Sequence, residues 1–401
     1  MLPLLQHLSL SIQLATPEIG YLLVLSPSLQ TLQLLRVPWP KSEFLVESRM
    51  DALFRFITSS WLAADTLTHV RAMFQEAELE DVYNHMVSMG HCRDLQKLDI
   101  GISVVSHATL RAISSLGYLR TLALLVTSEA WTDHHDTESQ PVHFLALDSL
   151  SLRGTSSDIK RLLLDIHVGT LRSLTVILDD SMDAEELRQL LQFFVNSLPT
   201  VTGFHIHAAA FTPTSLALTL SQILEPVLAH RAVTDISCRF KSFPSEVSDA
   251  DISAMSTAWP NLRTLSIVHD DYISMTQGTT PSVNVTIAGL VILVRNCPSL
   301  EKIKLSRLDP SGNPLPDLSH ILHLDDCRVR EVEIGQFIGW YYDTVDIAEL
   351  AAFFDCLFPR LDVIRPVTME MLWRAEKYTV WEIVQTFIAA IRVARSRRGG
   401  L

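Results

Sequence analysis

Along the chain, apolar residues return to one short phrase, clearest in Asn296 to Leu305 (NCPSLEKIKL): a helix end, a proline, then Leu300, Ile303 and Leu305. With the first apolar position as origin, the phrase recurs at Leu5, Leu29, Leu67, Leu95, Leu119, Leu147, Leu171, Val201, Val233, Leu262, Leu300, Val329 and, most faintly, Leu361. The mean interval is about 30 residues, a fixed-period signature of a repeat array. The Leu67 copy (Leu67, Val70, Ala72) is irregular, and is kept because it divides a double-length gap.

Each phrase predicts a short strand. In Leu95 to Ile102 the apolar side chains of Leu98, Ile100 and Ile102 alternate with polar ones, which places them on one face of an extended segment. Five copies carry proline two positions before the origin, at Pro27, Pro199, Pro260, Pro298 and Pro359, where it ends the preceding helix and biases its neighbour to extended geometry. Between strands the apolar period becomes three and four. Ser181 to Leu198 predicts a helix with Ser181 as N-cap and acidic residues in its first turn. Further helices are expected at 51–57, 76–89, Ile159–Ile166 closed by Gly169, Val283–Asn296 and Ile347–Leu357. A last one follows Thr379-Val-Trp-Glu382, a capping-box spacing.

The repeat pattern resembles leucine-rich repeat proteins, and the variants Cys-Pro-Ser-Leu300 and Cys92-Arg-Asp-Leu95 resemble the cysteine-containing repeats of eukaryotic F-box proteins. The irregular lengths are similar to the F-box and leucine-rich repeat families of basidiomycete fungi. The resemblance implies an α/β leucine-rich repeat solenoid, a curved horseshoe with parallel strands on the concave face and helices on the convex face. It also implies a substrate receptor for a cullin-type ubiquitin ligase. Two departures stand out. The family's Asn or Cys eight residues after the first Leu is replaced by Ser103, Thr127, Thr155, Asp179 and Asp270 in some repeats, and by Val37, Ala209, Lys241, Leu308 and Phe337 in others. The F-box itself has no counterpart, since the sequence starts inside a repeat at Met1 to Leu5. The expected organisation is a solenoid over 1–366 with 12 to 13 irregular repeats, then a capping helix and basic tail over 367–401.

With the core leucines inward, the side chains two, four and six positions after each origin face out. They define a candidate binding face: Lys97, Asp99, Ser149, Ser151, Arg153, Ser173, Thr175, His205, His207, Asp235, Ser237, Arg239, Thr264, Ser266, Lys302, Lys304, Glu331 and Glu333. Hydroxylic residues recur on this face, seven of the eighteen. Lys302 and Lys304 are placed to pair with Glu331 and Glu333 on the next strand.

Charge and composition narrow the reading. A formal net charge of −13 disfavours nucleic acid as partner, because phosphate binding draws on a basic surface. The one visible basic cluster, Arg392, Arg395, Arg397 and Arg398, reads as cations at a helix C-terminal end. No apolar run approaches the ~20 residues of a spanning helix, and Met1 to Ala15 lacks the basic region of a signal peptide, so no membrane association is expected. Five dispersed cysteines, never in C-x-x-C spacing, fit reduced thiols in the cytoplasm or nucleus. The sequon at Asn284 to Thr286 is read as chance.

No catalytic signature is present, and neither a cofactor nor a metal is expected. Asp133 to Asp136 sets His134 and His135 between two carboxylates, residue types that bind zinc, but without a distant further ligand. The reading is therefore a non-enzymatic interaction scaffold, monomeric outside its complexes, that binds a protein on the concave face. A ubiquitin-ligase adaptor would join only through an F-box upstream. The alternatives are a stand-alone repeat protein, binding or inhibitory, and an enzyme using the His134/His135 loop.

Overall fold

The computed structural model describes residues 6–12, 30–36, 67–73, 94–100, 107–126, 141–211, 218–241, 247–269, 284–310, 315, 327–337, 344–363 and 379–398. The chain divides into two compact units, the first formed by 1–180 and 196–201, the second by 181–195 and 202–401. The helices expected at 51–57 and 76–89 and the His134/His135 loop lie outside the described residues.

In the first unit seven strands form a parallel ladder in chain order: β1 (His7–Ile12), β2 (Thr31–Arg36), β3 (His69–Met73), β4 (Lys97–Ile100), β5 (Thr121–Val126), β7 (Ser149–Gly154) and β9 (Ser173–Met182). β6 (Val142–His143) and β8 (Ile166–His167) make a separate two-stranded parallel sheet. The second unit carries β10 (Gly203–Phe211), β11 (Asp235–Phe240), β12 (Thr264–His269), β13 (Lys302–Leu308) and β14 (Glu331–Phe337), again parallel and in order.

Each ladder strand begins two residues after its predicted origin, and neighbours pair at equivalent positions, as in Thr31 with His69 and Asp235 with Thr264. The irregular Leu67 copy obeys the same register. Within each unit the residue after an origin supplies the carbonyl that accepts the next strand's first amide, for example Asp148 to Ser173 at 3.0 Å and Arg263 to Lys302 at 3.0 Å. A threonine just before the origin adds a second tie where present: the Thr170 hydroxyl donates to the Leu147 carbonyl and that of Thr200 to Leu171, each at 2.9 Å. At the faint Leu361 copy, Leu361 is buried and the Asp362 amide reaches the Arg330 carbonyl at 2.7 Å, the tie seen at the other origins, while the strand expected after it lies outside the described residues.

The alternation predicted from sequence is the alternation of burial. In β5 and β7 the positions Leu122, Leu124, Leu150 and Leu152 are buried while their neighbours stay partly open, and in β12 the same holds for Leu265 and Ile267. Burying each such Leu or Ile contributes about 1.5–3 kcal/mol.

Helices connect the strands: α1 (His107–Ser114) and α2 (Ser156–Asp165) in the first unit, then α3 (Ala184–Ser197), whose last two residues count with the first unit. The second unit continues with α4 (Leu220–Ile223), α5 (Glu225–Leu228), α6 (Asp249–Ala258), α7 (Ile287–Asn296), α8 (Thr344–Leu357) and α9 (Val380–Arg398). Several boundaries differ from the sequence expectation, each for a capping reason. β9 runs on to Met182, so α3 is capped by Asp183 rather than Ser181: Asp183 Oδ1 accepts the Glu186 amide at 2.8 Å and Glu186 Oε2 returns to the Asp183 amide at 2.9 Å. α2 starts earlier, at the Thr155 cap, and ends because Ile166 turns extended into β8, so Gly169 does not close it. α7 begins four residues after Val283, capped by Thr286. The capping box at the start of α9 is present, Glu382 Oε2 accepting from the Thr379 amide at 2.7 Å.

Carboxylates also tie one repeat to the next. Asp180 accepts from the Ser156 amide and hydroxyl, Asp251 from the Ser221 amide, and Asp249 from the Thr286 amide and hydroxyl at 2.8 and 2.6 Å. These bonds satisfy helix N-terminal donors that would otherwise be orphaned. The family position at Thr155 acts as a helix cap, whereas Leu308 and Phe337 are simply buried.

At the end of the second unit α9 lies against β14 and α8. Trp381 is buried, donates its indole N–H to the Val332 carbonyl at 2.8 Å and meets Phe354 edge-on at 5.2 Å. Asp355, only 2% exposed, accepts from Arg392 at 2.7 Å and Arg395 at 2.5 Å. Arg392 also donates to the carbonyls of Phe358 and Leu361, just beyond the C-terminal end of α8. Two members of the basic cluster thus act as ties to the preceding helix.

Candidate functional site

The predicted face residues all stand on the ladder strands, and none is buried. In the first unit Lys97 and Asp99 lie on β4, Ser149, Ser151 and Arg153 on β7, and Ser173 and Thr175 on β9, with Ser151 directly beside Thr175. Two of the charged members, Asp99 and Arg153, are already engaged along the sheet. Asp99 pairs with Arg71 of β3 at 3.1 Å, and Arg153 spans both oxygens of Asp179 at 3.0 Å.

In the second unit His205 and His207 lie on β10, Asp235, Ser237 and Arg239 on β11, Thr264 and Ser266 on β12, Lys302 and Lys304 on β13, and Glu331 and Glu333 on β14. The predicted cross-strand pairs form: Lys302 with Glu331 at 2.6 Å and Lys304 with Glu333 at 2.7 Å. All four side chains are 44–59% exposed, so each pair contributes about 0–1 kcal/mol and mainly neutralises charge. Burial holds the His205 imidazole below its ordinary pKa, opposed by the nearby Asp235 carboxylate.

Beyond position four the second-unit face departs from simple alternation. Ser306 and Arg307 are successive partly open residues before buried Leu308, and Gly335 and Gln336 do the same before Phe337. β13 and β14 share this extra residue and stay paired, Arg307 opposite Gln336. β12 is likewise partly open at both Val268 and His269, but its pairing with β13 stops at Ile267 and Leu305, after which Asp309 bridges to Thr286. Ser306 spans the opening, its hydroxyl accepting the His269 amide and lying 3.4 Å from the His269 carbonyl. A break of this kind re-aims side chains.

The result is a groove of about 550 Å³ bordered by residues of all five strands of this unit. Of the predicted face it gathers His207, Ser237, Arg239, Ser266, Lys304 and Glu333. His269, Arg307 and Gln336 join them from position seven, which strict alternation assigns to the core. Their signal was in the sequence: the apolar spacing Ile303, Leu305, Leu308 and Val332, Ile334, Phe337 changes from two to three, and an isolated glycine sits at the second break. Gly335 is required there, because a Cβ would lie 2.7 Å from the Ser306 carbonyl oxygen.

Among the described residues no group of three or more His, Cys, Asp or Glu side chains is placed to hold a metal ion. His143 and His167 face each other across the small sheet with ring centroids 5.2 Å apart. Of the described cysteines Cys238, Cys297 and Cys327 are buried, and burial pushes the thiols of Cys238 and Cys297 up to about 12, which leaves them protonated and unreactive. Asn284 is buried and Thr286 is bonded to Asp249, so this sequon is closed to a glycan. Among the described residues no helix is long and apolar enough to cross a membrane.

No protein-family model and no curated protein matches the chain. Solved structures with likeness include an internalin (InlF) from Listeria monocytogenes, 12% identical over 89% of this chain and 86% of that one, TM-score 0.32. A complex of TLR13 with ssRNA13 is 12% identical over 84% and 39%, TM-score 0.34. The leucine-rich repeat ectodomain of the Arabidopsis receptor kinase HAESA with an extended IDA peptide hormone is 12% identical over 78% and 44%, TM-score 0.24. The fold class rests on the ladder itself: in-register parallel strands, one per leucine-anchored repeat, with helices between them, define an α/β leucine-rich repeat solenoid.

Proposed function

We propose that the protein is a non-enzymatic binding scaffold whose strand face receives a protein partner, and that it serves as the substrate-recognition part of an F-box type ubiquitin ligase receptor. The observation that carries the scaffold reading is the outward set of alternate strand positions. In β7 and β11 these are polar throughout and in β12 the first two are, with Ala123 and Leu125 of β5 as apolar exceptions, while the fold draws its burial from the positions between them. Side chains in this arrangement are available for contact without cost to the core. The ligase reading is supported by the Cys-Pro-Ser-Leu300 and Cys92-Arg-Asp-Leu95 repeats, which resemble those of F-box proteins. In that role the repeats hold a target near the transferase and perform no covalent chemistry. The expected location is the cytoplasm or nucleus.

The test is affinity purification of the full-length transcript product from its native cell, followed by mass spectrometry. Recovery of a cullin and its adaptor with further proteins supports the receptor. Recovery of partner proteins without the ligase components leaves a stand-alone leucine-rich repeat binding protein. Recovery of no partner overturns the scaffold reading.

A further inference from the structure

The two-stranded sheet of the first unit lies outside the ladder, and it sets two metal-ligating side chains against each other. In β6 and β8 burial alternates about the histidines: Val142 and Phe144 are buried on either side of His143, and Ile166 and Val168 on either side of His167. Both imidazoles are exposed and stand out from the same face of the small sheet. The register places them directly opposite each other, and the Phe144 amide, donating to the His167 carbonyl at 3.0 Å, fixes the two backbones beside them. The ring centroids are 5.2 Å apart, with the planes tilted by 59°. Among the described residues neither ring has a hydrogen-bond or charged partner.

We infer that His143 and His167 together bind a divalent transition-metal ion of the zinc or copper class, for which imidazole is a preferred ligand. Two nitrogens that hold one ion at about 2.0–2.1 Å stand about 3 Å apart. Rings at the observed spacing reach that separation by side-chain rotation alone, since the strands already hold their backbones in place. His205 and His207 offer a contrast: they share a face too, but two positions along one strand separate their backbones by about 6.6 Å. No third His, Cys, Asp or Glu among the described residues joins His143 and His167, so the ion's remaining positions are left to water or another exchangeable ligand. Closed structural zinc sites take four protein ligands, whereas two make a reversible site. The buried residues of β6 and β8 hold the small sheet together without the ion, which on binding ties the repeat at Leu147 to the repeat at Leu171.

The experiment uses the full chain, stripped with a chelator and titrated with zinc by calorimetry, together with the variants His143→Ala, His167→Ala and H134A/H135A, each shown to be folded by circular dichroism. Binding with a micromolar dissociation constant, at least tenfold weaker in either of the first two variants and kept in H134A/H135A, supports the inference. Zinc should also raise the melting temperature of the wild type but not of H143A/H167A. Copper(II) in place of zinc reports the donors by electron paramagnetic resonance, with two imidazole nitrogens expected in the wild type and one in each single variant. Binding only at millimolar zinc, undiminished affinity in the folded His143→Ala and His167→Ala variants, loss of the site in H134A/H135A alone, or a copper spectrum that neither single substitution changes overturns it.

Discussion

At the scale of single residues, stability rests on a few partly buried polar contacts as well as on leucines. Asp249 shows why. It bonds the Thr286 amide and hydroxyl, and the space above it is kept free by Gly289, where a Cβ would fall within 3 Å of the carboxylate. Gly289→Ala should therefore destabilise the protein by about 1–3 kcal/mol despite alanine's better helix propensity, as measured by urea denaturation. A gain in stability would mean that Asp249 yields without loss. A second residue-scale effect is electrostatic. Burial lowers the folded-state pKa of His205 below its ordinary 6.5, so the unfolded chain takes up that proton first as pH falls. Between the two values the unfolded state holds more protons, and stability rises with pH there. His205→Gln should flatten the loss of stability below about pH 6.5. An identical pH profile in the variant would assign that loss to other groups.

Individual elements show what the sequence could and could not convey. Strand starts were legible to the residue, because an extended segment must alternate and a leucine-anchored phrase marks its origin. Even the irregular Leu67 copy pairs in register at His69 with Thr31. Helix starts were less legible. Ser181 was the nearest conventional cap, but β9 continues to Met182 and Asp183 takes that role. The groove was half legible: its serines and Lys304 followed from alternation, whereas Arg307 and Gln336 are open because alternation breaks at two successive residues in β13 and β14. At the end of the second unit, α9 covers buried Val332 and Phe354 through Trp381, and we propose that it is the array's cap. Truncation after residue 378 exposes these apolar groups. It should lower the melting temperature by several degrees and cause aggregation at micromolar concentration; a truncated chain that melts like wild type and stays monomeric would refute the capping role.

For the whole molecule, contacts run mainly between neighbouring repeats, and stability in such an array is a sum of local terms. Trp259, fully buried with its indole N–H on the Val227 carbonyl at 3.2 Å, anchors the second unit. Trp259→Phe should lower amide protection in β11 to β13 roughly tenfold, for a loss of about 1.4 kcal/mol, and leave β5 and β7 unchanged. Equal loss of protection in both units, read by hydrogen exchange, would show a single cooperative block instead.

The ladder's register has a consequence for how such a chain can change. Thr31 and His69 pair although 38 residues separate them, and Lys97 pairs with Thr121 across 24. The sheet thus records where each phrase begins and ignores the length of what lies between. Connections can be lengthened, shortened or exchanged by single genetic events while every buried leucine keeps its neighbours. Diversity in such a protein accumulates in the connections, and two relatives can share the same sheet while presenting unrelated edges to their partners.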